Sequence, residues 1–418
     1  MRILQLSFGK PPHRFATVGG DVGMFQNFMA LTELGHEVHV AVIGPRTDNL
    51  DSDLRKRAAK VHFIEPRETP ALLRPVERVL NPETFSLRFP RAHGYADALA
   101  DLAKQAAPDL IWADSTFTLA WAPRDTYPVV FGNYDFLFKL KSVRRETQRR
   151  VSLRDFGDPR ALRRRFVRRP DAFSIAALEK FELEITSEAA HVMCVSASEA
   201  EFCRAHGISA THIPIVGPTM PSPSLELPDR PPRFFLFGTH NTAHAAALSE
   251  IRRSLWPALE RAGVRLEWHQ TGKAPARRDD DWRWMERTFD HVHGFVADLG
   301  DVFALGDVSV VPYRHDTGFR TKFTVAAGYG VISAGYTETY LCAPEFKPAH
   351  DCISEHDAEG LARAFTRIAQ DREWRRSLGI AARKLYEREF TFEAQLPRYA
   401  AVVEAATSAG PLRRRAHG

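Results

Sequence analysis

The sequence lacks any long apolar run: no stretch of about 18 or more uncharged apolar residues occurs in it, and this length is needed to cross a bilayer. The first residues, Met1–Ser7, also lack a small-residue cleavage site and run on towards His13 and Arg14, unlike a secretory signal peptide. We therefore expect a fold that begins at residue 1 and a cytoplasmic protein, with a peripheral position at the inner face of the membrane as an alternative.

Cysteine is also scarce. The four cysteines, Cys194, Cys203, Cys342 and Cys352, do not show the spacing of a metal site. A disulfide framework is not expected at this chain length and in a reducing compartment. We expect no metal site and no bound cofactor.

A third absence concerns the first strand. No Gly-x-Gly-x-x-Gly motif follows it, and no acidic residue stands about 20 positions further on. A dinucleotide-dependent oxidoreductase is therefore the least favoured enzyme class.

Charge is present in moderate excess and is unevenly spread. The net charge is +5, yet eleven arginines and only three acids lie between Arg144 and Arg169. The segment is either a solvated helical surface or an anion-binding patch for acceptor phosphates, anionic lipid or an acidic glycan, with Arg144, Arg145, Arg149 and Arg150 as candidates. Nucleic acid is disfavoured because the segment has few aromatic residues on which bases could stack.

The length of 418 residues predicts two domains, since single cores rarely exceed roughly 300 residues. Apolar runs and helical periodicity alternate along the chain, which indicates an α/β fold with parallel sheets. The predicted strands are Arg2–Ser7, Glu37–Ile43, Asp109–Trp112, Pro128–Phe131, His191–Val195, Arg233–Gly238, Val264–Gln270 and Val308–Pro312. The predicted helices are Val22–Leu34, Ala176–Glu188, Ala243–Ala262, 357–370, 373–388 and 392–408.

The segment 214–232 holds seven prolines in nineteen residues, which excludes a helix interior or a central strand. We therefore predict an N-terminal Rossmann-like domain at 1–217, a linker at 218–232 and a second Rossmann-like domain at 233–391. A last helix at 392–408 and a basic tail at 409–418 complete the chain.

Loops that follow strands are the expected ligand-binding positions in such sheets. Gly19 and Gly20 precede the first helix, and Gly238, Thr239 and His240 follow the first strand of the second half. Glycine allows close backbone approach and a helix N-terminus favours an anion, so both loops are candidates for a diphosphate. The alternative is that each is an ordinary tight turn.

The segment from Asp316 to Gly330 is the richest in candidate chemistry. Gly318 and Phe319 are followed by Arg320 and Lys322, and then by a helix of small residues. Two cations beside a flexible turn would neutralise a diphosphate leaving group. A surface loop with ordinary basic residues is the alternative interpretation.

The order of these landmarks resembles that of retaining GT-B glycosyltransferases of the family 4-like group. The landmarks are Gly19-Gly20, Leu34–Val40, Phe235–Gly238, Trp256-Pro257, Thr271-Gly272, Val292–Asp298, Asp307–Pro312, Gly318–Lys322 and Gly330–Ser333. The resemblance implies two Rossmann-like domains facing a cleft, with a C-terminal helix that crosses back to the first domain. It also implies metal-independent transfer of a sugar from a nucleotide-sugar donor, with retained configuration, to a glycan, lipid-linked or small-molecule acceptor.

The resemblance adds site residues. Asp135 follows a strand at the place where family members have a His or Asp facing the sugar; alternatively it caps the next helix. Gly272 belongs to the donor side, and Glu338 stands where it would approach the sugar. Glu182, with Glu179, is predicted only to pair with nearby arginines.

Two positions depart from the family pattern. Val325 replaces the glutamate that usually binds the donor ribose, and Gly238-Thr-His-Asn replaces a turn that often carries an Arg and a Lys. A catalytically silent protein that binds a nucleotide or glycan, and a sugar-nucleotide epimerase on the same fold, are therefore kept as alternatives.

Overall fold

The computed structural model describes residues 1–14, 19–65, 72–79, 94–149, 174–216, 224, 226–239, 241–276 and 278–412. Their strands are β1 (Arg2–Phe8), β2 (Glu37–Ile43), β3 (Lys60–Ile64), β4 (Leu110–Ala113), β5 (Val129–Asn133), β6 (His191–Cys194), β7 (Ala210–His212), β8 (Arg233–Phe237), β9 (Glu267–Thr271), β10 (His291–Val292), β11 (Val308–Val311), β12 (Ile332–Tyr336) and β13 (Cys352–Glu355).

Helices lie between most of these strands, and the last three follow β13. They are α1 (Gly19–Glu33), α2 (Ser52–Arg57), α3 (Arg74–Val79), α4 (Tyr95–Ala106), α5 (Thr116–Trp121), α6 (Leu137–Arg149), α7 (Ile175–Ser187), α8 (Ala197–Ala205), α9 (Thr242–Glu250), α10 (Trp256–Arg261), α11 (Asp280–Thr288), α12 (Thr321–Gly328), α13 (Ala358–Gln370), α14 (Arg372–Glu389) and α15 (Phe392–Ala409). A π-helical turn, Ile251–Leu255, joins α9 to α10. None of the described helices is long and apolar enough to cross a membrane.

Two separate sheets form, and all of their strand pairs are parallel. The first has the order β3-β2-β1-β4-β5-β6-β7 and the second the order β10-β9-β8-β11-β12-β13. Strand order reverses between β1 and β4 in the first sheet and between β8 and β11 in the second. Ligands of doubly wound sheets bind at such reversal points, beyond the carboxyl ends of the strands.

The central strands are buried on both faces, as expected of parallel sheets covered by helices. Every residue of β4, β6, β11 and β12 is buried. The predicted α/β architecture with two Rossmann-like halves is therefore confirmed.

The last helix leaves the second half of the chain and packs on the first sheet. α15 contacts α1, β4, β5 and β6. The ring of Tyr399 lies 5.8 Å from that of Trp112, centroid to centroid. The predicted crossing of the C-terminal helix back to the first half is confirmed.

Several element bounds differ from the sequence-based prediction. Gly19 and Gly20 already belong to the first turn of α1, so the preceding loop is shorter than predicted. The predicted strand at Val264 begins at Glu267 instead. The helix predicted as Ala243–Ala262 is interrupted by the π turn.

Some edge strands were not predicted at all. β3, β7 and β10 lie at or near sheet edges and are short or partly exposed, so they lack the continuous apolar run that marks a buried strand. No strand was predicted at Ile332–Tyr336 or Cys352–Glu355 either, although both belong to the second sheet.

Candidate functional site

Two glycine turns meet at the carboxyl ends of β8 and β9. Gly238 has φ +109° and Gly272 has φ +125°, a region that favours glycine. A β-carbon on Gly272 would lie only 2.2 Å from the carbonyl oxygen of Gly238. The backbone amide of Gly272 donates to the carbonyl of Gly294 at 2.6 Å. The two turns therefore form a side-chain-free floor next to the reversal point of the second sheet, which lies between β8 and β11.

The side chain of Lys322 lies on this floor. A β-carbon on Gly238 would lie 2.8 Å from Lys322 Cε and 3.5 Å from Lys322 Nζ. Burial, with Arg320 nearby, lowers the pKa of the Lys322 ammonium to about 7. No carboxylate of the described residues contributes to that shift or pairs with Nζ. The protonated Lys322 ammonium therefore has no partner carboxylate among the described residues.

Arg320 is held in place from three sides. Its Nη2 donates to the carbonyl of His315 at 3.0 Å and to Thr317 Oγ1 at 3.1 Å. Its guanidinium carbon lies 4.1 Å from the ring centroid of Tyr313. Its buried Nε has no hydrogen-bond partner in the described structure. The guanidinium is therefore fixed in orientation, with one buried donor left unpaired among the described residues.

The turn before α12 touches the first half of the chain at Asp135. Gly318 has φ +50°, and a β-carbon there would lie 2.4 Å from Asp135 Oδ1 and 2.8 Å from the carbonyl oxygen of Tyr134. Burial raises the pKa of the Asp135 carboxyl to about 6, against the opposing charges of Arg320, Lys139 and Arg144. The fold thus places Asp135 and Arg320, which were predicted from separate segments, beside the same Gly318 turn.

Further charged residues join the two halves around this turn. Glu199, at the start of α8, accepts from Gly318 N at 3.3 Å and from Asn133 Nδ2 at 3.0 Å. Asp316 accepts from Lys139 Nζ at 2.9 Å and from the hydroxyl of Ser198. Burial and the charge of Asp135 raise the pKa of Glu199 to about 8. Glu199 therefore binds the Gly318 turn as a carboxylic acid near neutral pH.

Sequence reasoning missed Glu199 and Lys139 because neither stands in a glycine-rich loop. A detectable signal existed in both cases. Each follows the end of a predicted buried strand within a few residues, Lys139 after β5 and Glu199 after β6. Polar residues at those positions reach the carboxyl edge of a parallel sheet.

A second polar network lies beneath α1, at the reversal point of the first sheet. Asp114 is buried and accepts from Gln5 Nε2 at 2.6 Å, Asn27 Nδ2 at 2.7 Å and the hydroxyl of Tyr134 at 2.9 Å. Tyr399 on α15 donates from its hydroxyl to Asn27 Oδ1 at 2.7 Å. Burial raises the pKa of Asp114 to about 7. The network fastens α15 to the first sheet, while the buried Gln5 Oε1 has no hydrogen-bond partner among the described residues.

The alternative that Asp135 caps the next helix is not what the structure shows. Glu182 instead accepts from the amides of Leu137 and Phe138, at 3.0 and 2.9 Å, where α6 begins. Burial raises the pKa of Glu182 to about 7. The interpretation that Glu182 merely pairs with arginines is therefore wrong, since it is buried against a helix N-terminus.

The remaining predicted donor residues are placed as follows. The ring of Phe319 packs in the core, with its centroid 6.5 Å from those of His212 and Phe390, so it supports the turn from behind. Glu338 Oε1 lies 3.5 Å from Arg314 Nη1 after β12. Thr239 follows Gly238 and is exposed, whereas His240 lies outside the described residues.

Gly19 and Gly20, the predicted donor-binding glycines of the first half, lie in the first turn of α1, and Gly20 faces the ring of Tyr134. Asp21 in the same turn pairs with Lys10, so a carboxylate already stands at this helix N-terminus. Arg144 and Arg145 lie on α6. The Arg149 side chain, Arg150 and most of the basic segment lie outside the described residues.

Within the described ranges, one group of side chains has the geometry of a metal site. It consists of Glu267, His269 and His291, on β9 and β10. β9 leads directly into Gly272 of the glycine floor, whereas Lys322 stands further along the chain.

Comparisons with known proteins agree with the architecture. No family model matches the chain, and no curated protein matches it in sequence. Among solved structures, sucrose-phosphate synthase from Thermosynechococcus elongatus is similar with a TM-score of 0.66 and 17% identity, covering 98% of this chain and 99% of that one. HepE from Anabaena in complex with UDP is similar with a TM-score of 0.62 and 12% identity, covering 97% and 100%.

A glycosyltransferase from Rickettsia africae is similar over 97% of this chain and 98% of its own, with a TM-score of 0.61 and 12% identity. At such low identities the likeness concerns the fold. The chain therefore has the GT-B architecture of two facing Rossmann-like halves.

Proposed function

We propose that the protein is a glycosyltransferase that moves a sugar from a nucleotide-sugar donor to an acceptor hydroxyl, with retained configuration and without a metal ion in the transfer step. The observation that carries this proposal is Lys322, an unpaired cation lying on the floor formed by Gly238 and Gly272. A floor without side chains lets a diphosphate approach the backbone, and the ammonium supplies the opposite charge.

Lys322 and Arg320 would stabilise the leaving nucleotide. As the bond from the anomeric carbon to the diphosphate breaks, negative charge grows on the phosphate oxygens. Both cations lie on the segment that starts α12, and Arg320 would act without reorganising, because Thr317 and Tyr313 already fix it. The departing phosphate takes the proton of the acceptor hydroxyl, so a separate protein base is not required.

Asp135 would face the sugar from the first sheet. It adjoins the Gly318 turn, and its carboxyl titrates with a pKa of about 6, so it is largely ionised at pH 7. A carboxylate there would stabilise the positive charge that develops on the sugar ring. This assigns the donor mainly to the second half of the chain and leaves the facing loops of the first half for the acceptor.

A uridine diphosphate sugar is the first donor class to test, because the structurally similar HepE has been obtained with UDP and with UDP-glucose. Phe295 is a further candidate on the donor side. It follows Gly294, which holds Gly272, and 74% of its surface is exposed, so it offers an aromatic face for stacking with a nucleobase.

The experiment combines a thermal-shift panel of nucleotides and nucleotide sugars with a transfer assay on the best binder. Lys322→Ala is expected to lower the transfer rate by about 100-fold or more, the usual cost of losing one group that stabilises transition-state charge. Lys384→Ala, an exposed lysine on α14, is the matched control. Normal transfer by Lys322→Ala would refute the site assignment.

A catalytically silent nucleotide-binding protein is the second candidate, and Val325 favours it. Val325 is partly buried against the cluster that includes Phe235 and Phe303, so α12 presents an apolar residue where a ribose-binding carboxylate would be expected. Nucleotide binding without transfer or donor hydrolysis, across the donor panel, would favour this candidate. Conversion of the donor without any acceptor would point instead to an epimerase.

A further inference from the structure

Four metal-ligating side chains lie together at one edge of the second sheet. β9 carries Glu267 and His269, and the edge strand β10 begins with His291, followed shortly by His293. In the parallel pairing, His291 stands opposite His269. Side chains two residues apart on a strand share a face, so Glu267 and His269 point to the same side as His291. The pairing register of β9 and β10 therefore places Glu267, His269 and His291 on the same face of the sheet.

The distances between the polar atoms suit a small cation. Glu267 Oε1 lies 2.7 Å from His269 Nε2 and 3.7 Å from His291 Nε2. All three ligand atoms lie within 4.8 Å of one another. In a tetrahedral zinc site with bonds of about 2.0 Å, neighbouring ligand atoms are roughly 3.3 Å apart. In the present geometry Glu267 and His269 are hydrogen-bonded at 2.7 Å, so a metal ion would have to separate this pair and draw in the His291 side chain, which is 55% exposed.

His293 orients the buried member of the group. Its Nε2 lies 2.8 Å from His269 Nδ1, on the opposite side of the ring from Glu267. If His269 Nδ1 carries the proton and donates it to His293, the lone pair of Nε2 faces Glu267 and His291. Metal-binding histidines are held in one tautomer by such a partner on the second ring nitrogen. The arrangement therefore contains both a ligand set and its supporting contact.

We propose that Glu267 Oε1, His269 Nε2 and His291 Nε2 bind one zinc-type divalent transition metal ion, with water as the fourth ligand. Imidazole nitrogen and carboxylate oxygen are ligands that zinc accepts in proteins, and three protein ligands leave the fourth position to solvent. Glu267 and His291 are both partly exposed, so the ion reaches the group directly from solvent. The nearby cation Arg233 has its charge balanced by Asp307, at 2.9 Å.

The site would tie the sheet edge to the proposed donor floor. β10 consists of two residues only, and the carbonyl of Gly294 just beyond it holds the amide of Gly272. A metal that bridges β9 and β10 would fasten this short strand. We therefore expect metal binding to raise the thermal midpoint of the whole protein, whether or not the protein transfers sugar.

The test uses untagged full-length protein, since a polyhistidine tag would bind the same ions. After treatment with chelator and buffer exchange, titration calorimetry with zinc chloride is expected to show one equivalent bound. Substitution with cobalt(II) is expected to give the visible absorption of a four-coordinate ion. Magnesium should neither bind nor raise the thermal midpoint, because it prefers octahedral oxygen ligands.

Two exposed ligands serve as variants, so that the fold is preserved. His291→Ala and Glu267→Gln are each expected to remove the calorimetric signal and the cobalt spectrum. His293→Ala is expected to weaken zinc binding by about 10- to 100-fold, the usual effect of losing an orienting partner. His350→Ala, which removes an exposed histidine beside Asp351, is the control and should bind zinc like the parent.

Unchanged zinc binding in both His291→Ala and Glu267→Gln would overturn the proposal, as would the absence of stoichiometric binding in the parent protein. In either case the four side chains form a hydrogen-bonded network only. None of these outcomes depends on glycosyl transfer, because each is read from metal binding itself.

Discussion

Lys322 passes so close to Gly238 that a β-carbon on the glycine would lie 2.8 Å from Lys322 Cε. The contact joins the end of β8 to the start of α12, on either side of the reversal point of the second sheet. Burial, with the charge of Arg320 nearby, lowers the pKa of the Lys322 ammonium to about 7. The cation of the proposed donor site is therefore one that titrates near neutral pH.

A pH dependence of nucleotide binding follows from this relationship. The cationic form of Lys322 attracts a diphosphate and the neutral form does not, so affinity for a nucleoside diphosphate should fall as the pH rises from 6 to 9. Lys322→Arg keeps its charge over this range and should show a flatter profile. Calorimetric titrations at several pH values check this; a profile that stays the same in Lys322→Arg would assign the dependence to another group.

Gly318→Ala is expected to disrupt the contact between the two halves. The new β-carbon would lie 2.4 Å from Asp135 Oδ1, and the positive φ of +50° is itself unfavourable for alanine. We expect a lower thermal midpoint and loss of donor turnover. Gly207→Ala is the matched control, since Gly207 has φ +72° but no atom within 4 Å of an added β-carbon.

The two glycine variants separate strain from collision. Both pay the conformational cost of a positive φ, of about 1 kcal/mol, but only Gly318→Ala meets a carboxylate and a backbone carbonyl. If Gly318→Ala and Gly207→Ala lowered the thermal midpoint equally, the close approach of the new β-carbon to Asp135 would not contribute to the loss of stability.

Glu199 should make stability depend on pH. Its pKa is raised from 4.5 to about 8, so the folded protein keeps a proton that the unfolded chain releases above its own pKa. Stability from this group is complete below pH 4.5 and declines as the pH rises towards 8. Glu199→Gln keeps an acceptor for Gly318 N but cannot ionise.

Urea unfolding of both proteins at pH 5, 6 and 7 measures this contribution. The free energy of unfolding of the parent protein should decline more steeply with pH than that of Glu199→Gln. Other buried acids, such as Asp114 and Glu182, are present in both proteins and cancel in the difference. Parallel curves would show that Glu199 ionises normally in the folded state.

Tyr399→Phe tests the attachment of the returning helix. The change removes the hydroxyl that donates to Asn27 Oδ1 at 2.7 Å and leaves that buried oxygen without this partner. A loss of about 1–3 kcal/mol in the free energy of unfolding is expected, the usual cost of an unsatisfied buried polar group. Thermal or urea unfolding measures it, with Tyr127→Phe as a control whose hydroxyl makes a longer bond, of 3.2 Å, to Ala103 O.

The sequence predicts most of the interior of this fold because buried parallel strands are continuous apolar runs. Arg2–Phe8, Glu37–Ile43 and Val308–Val311 are found almost where the pattern places them. Edge strands do not form such apolar runs, because they are partly exposed to solvent. β10 has only two residues, both exposed, and its identity depends on pairing with β9, which no local pattern reveals.

The residues of the candidate site also fall into two groups, those that a local sequence pattern indicates and those that only the tertiary structure reveals. Gly238 and Gly318 stand in loops and Lys322 in the first turn of α12, all in segments whose composition indicates phosphate chemistry. Glu199 joins the site only because α8 meets the Gly318 turn, 119 positions further along the chain. Phe319 shows the reverse case: it belongs to the right loop, but the direction of its side chain towards the core is decided by packing.

The hydrogen bond between Tyr399 and Asn27 also sets the order in which this part of the fold can form during translation. The two residues are 372 positions apart, so a ribosome working at 5–20 residues per second needs roughly 20–70 s to pass from one to the other. In the later part of that interval the first sheet, complete at His212, still lacks the helix that covers Trp112, while the strands of the second sheet are synthesised. The first half of the nascent chain therefore lacks the packing that α15 provides until that helix has been synthesised.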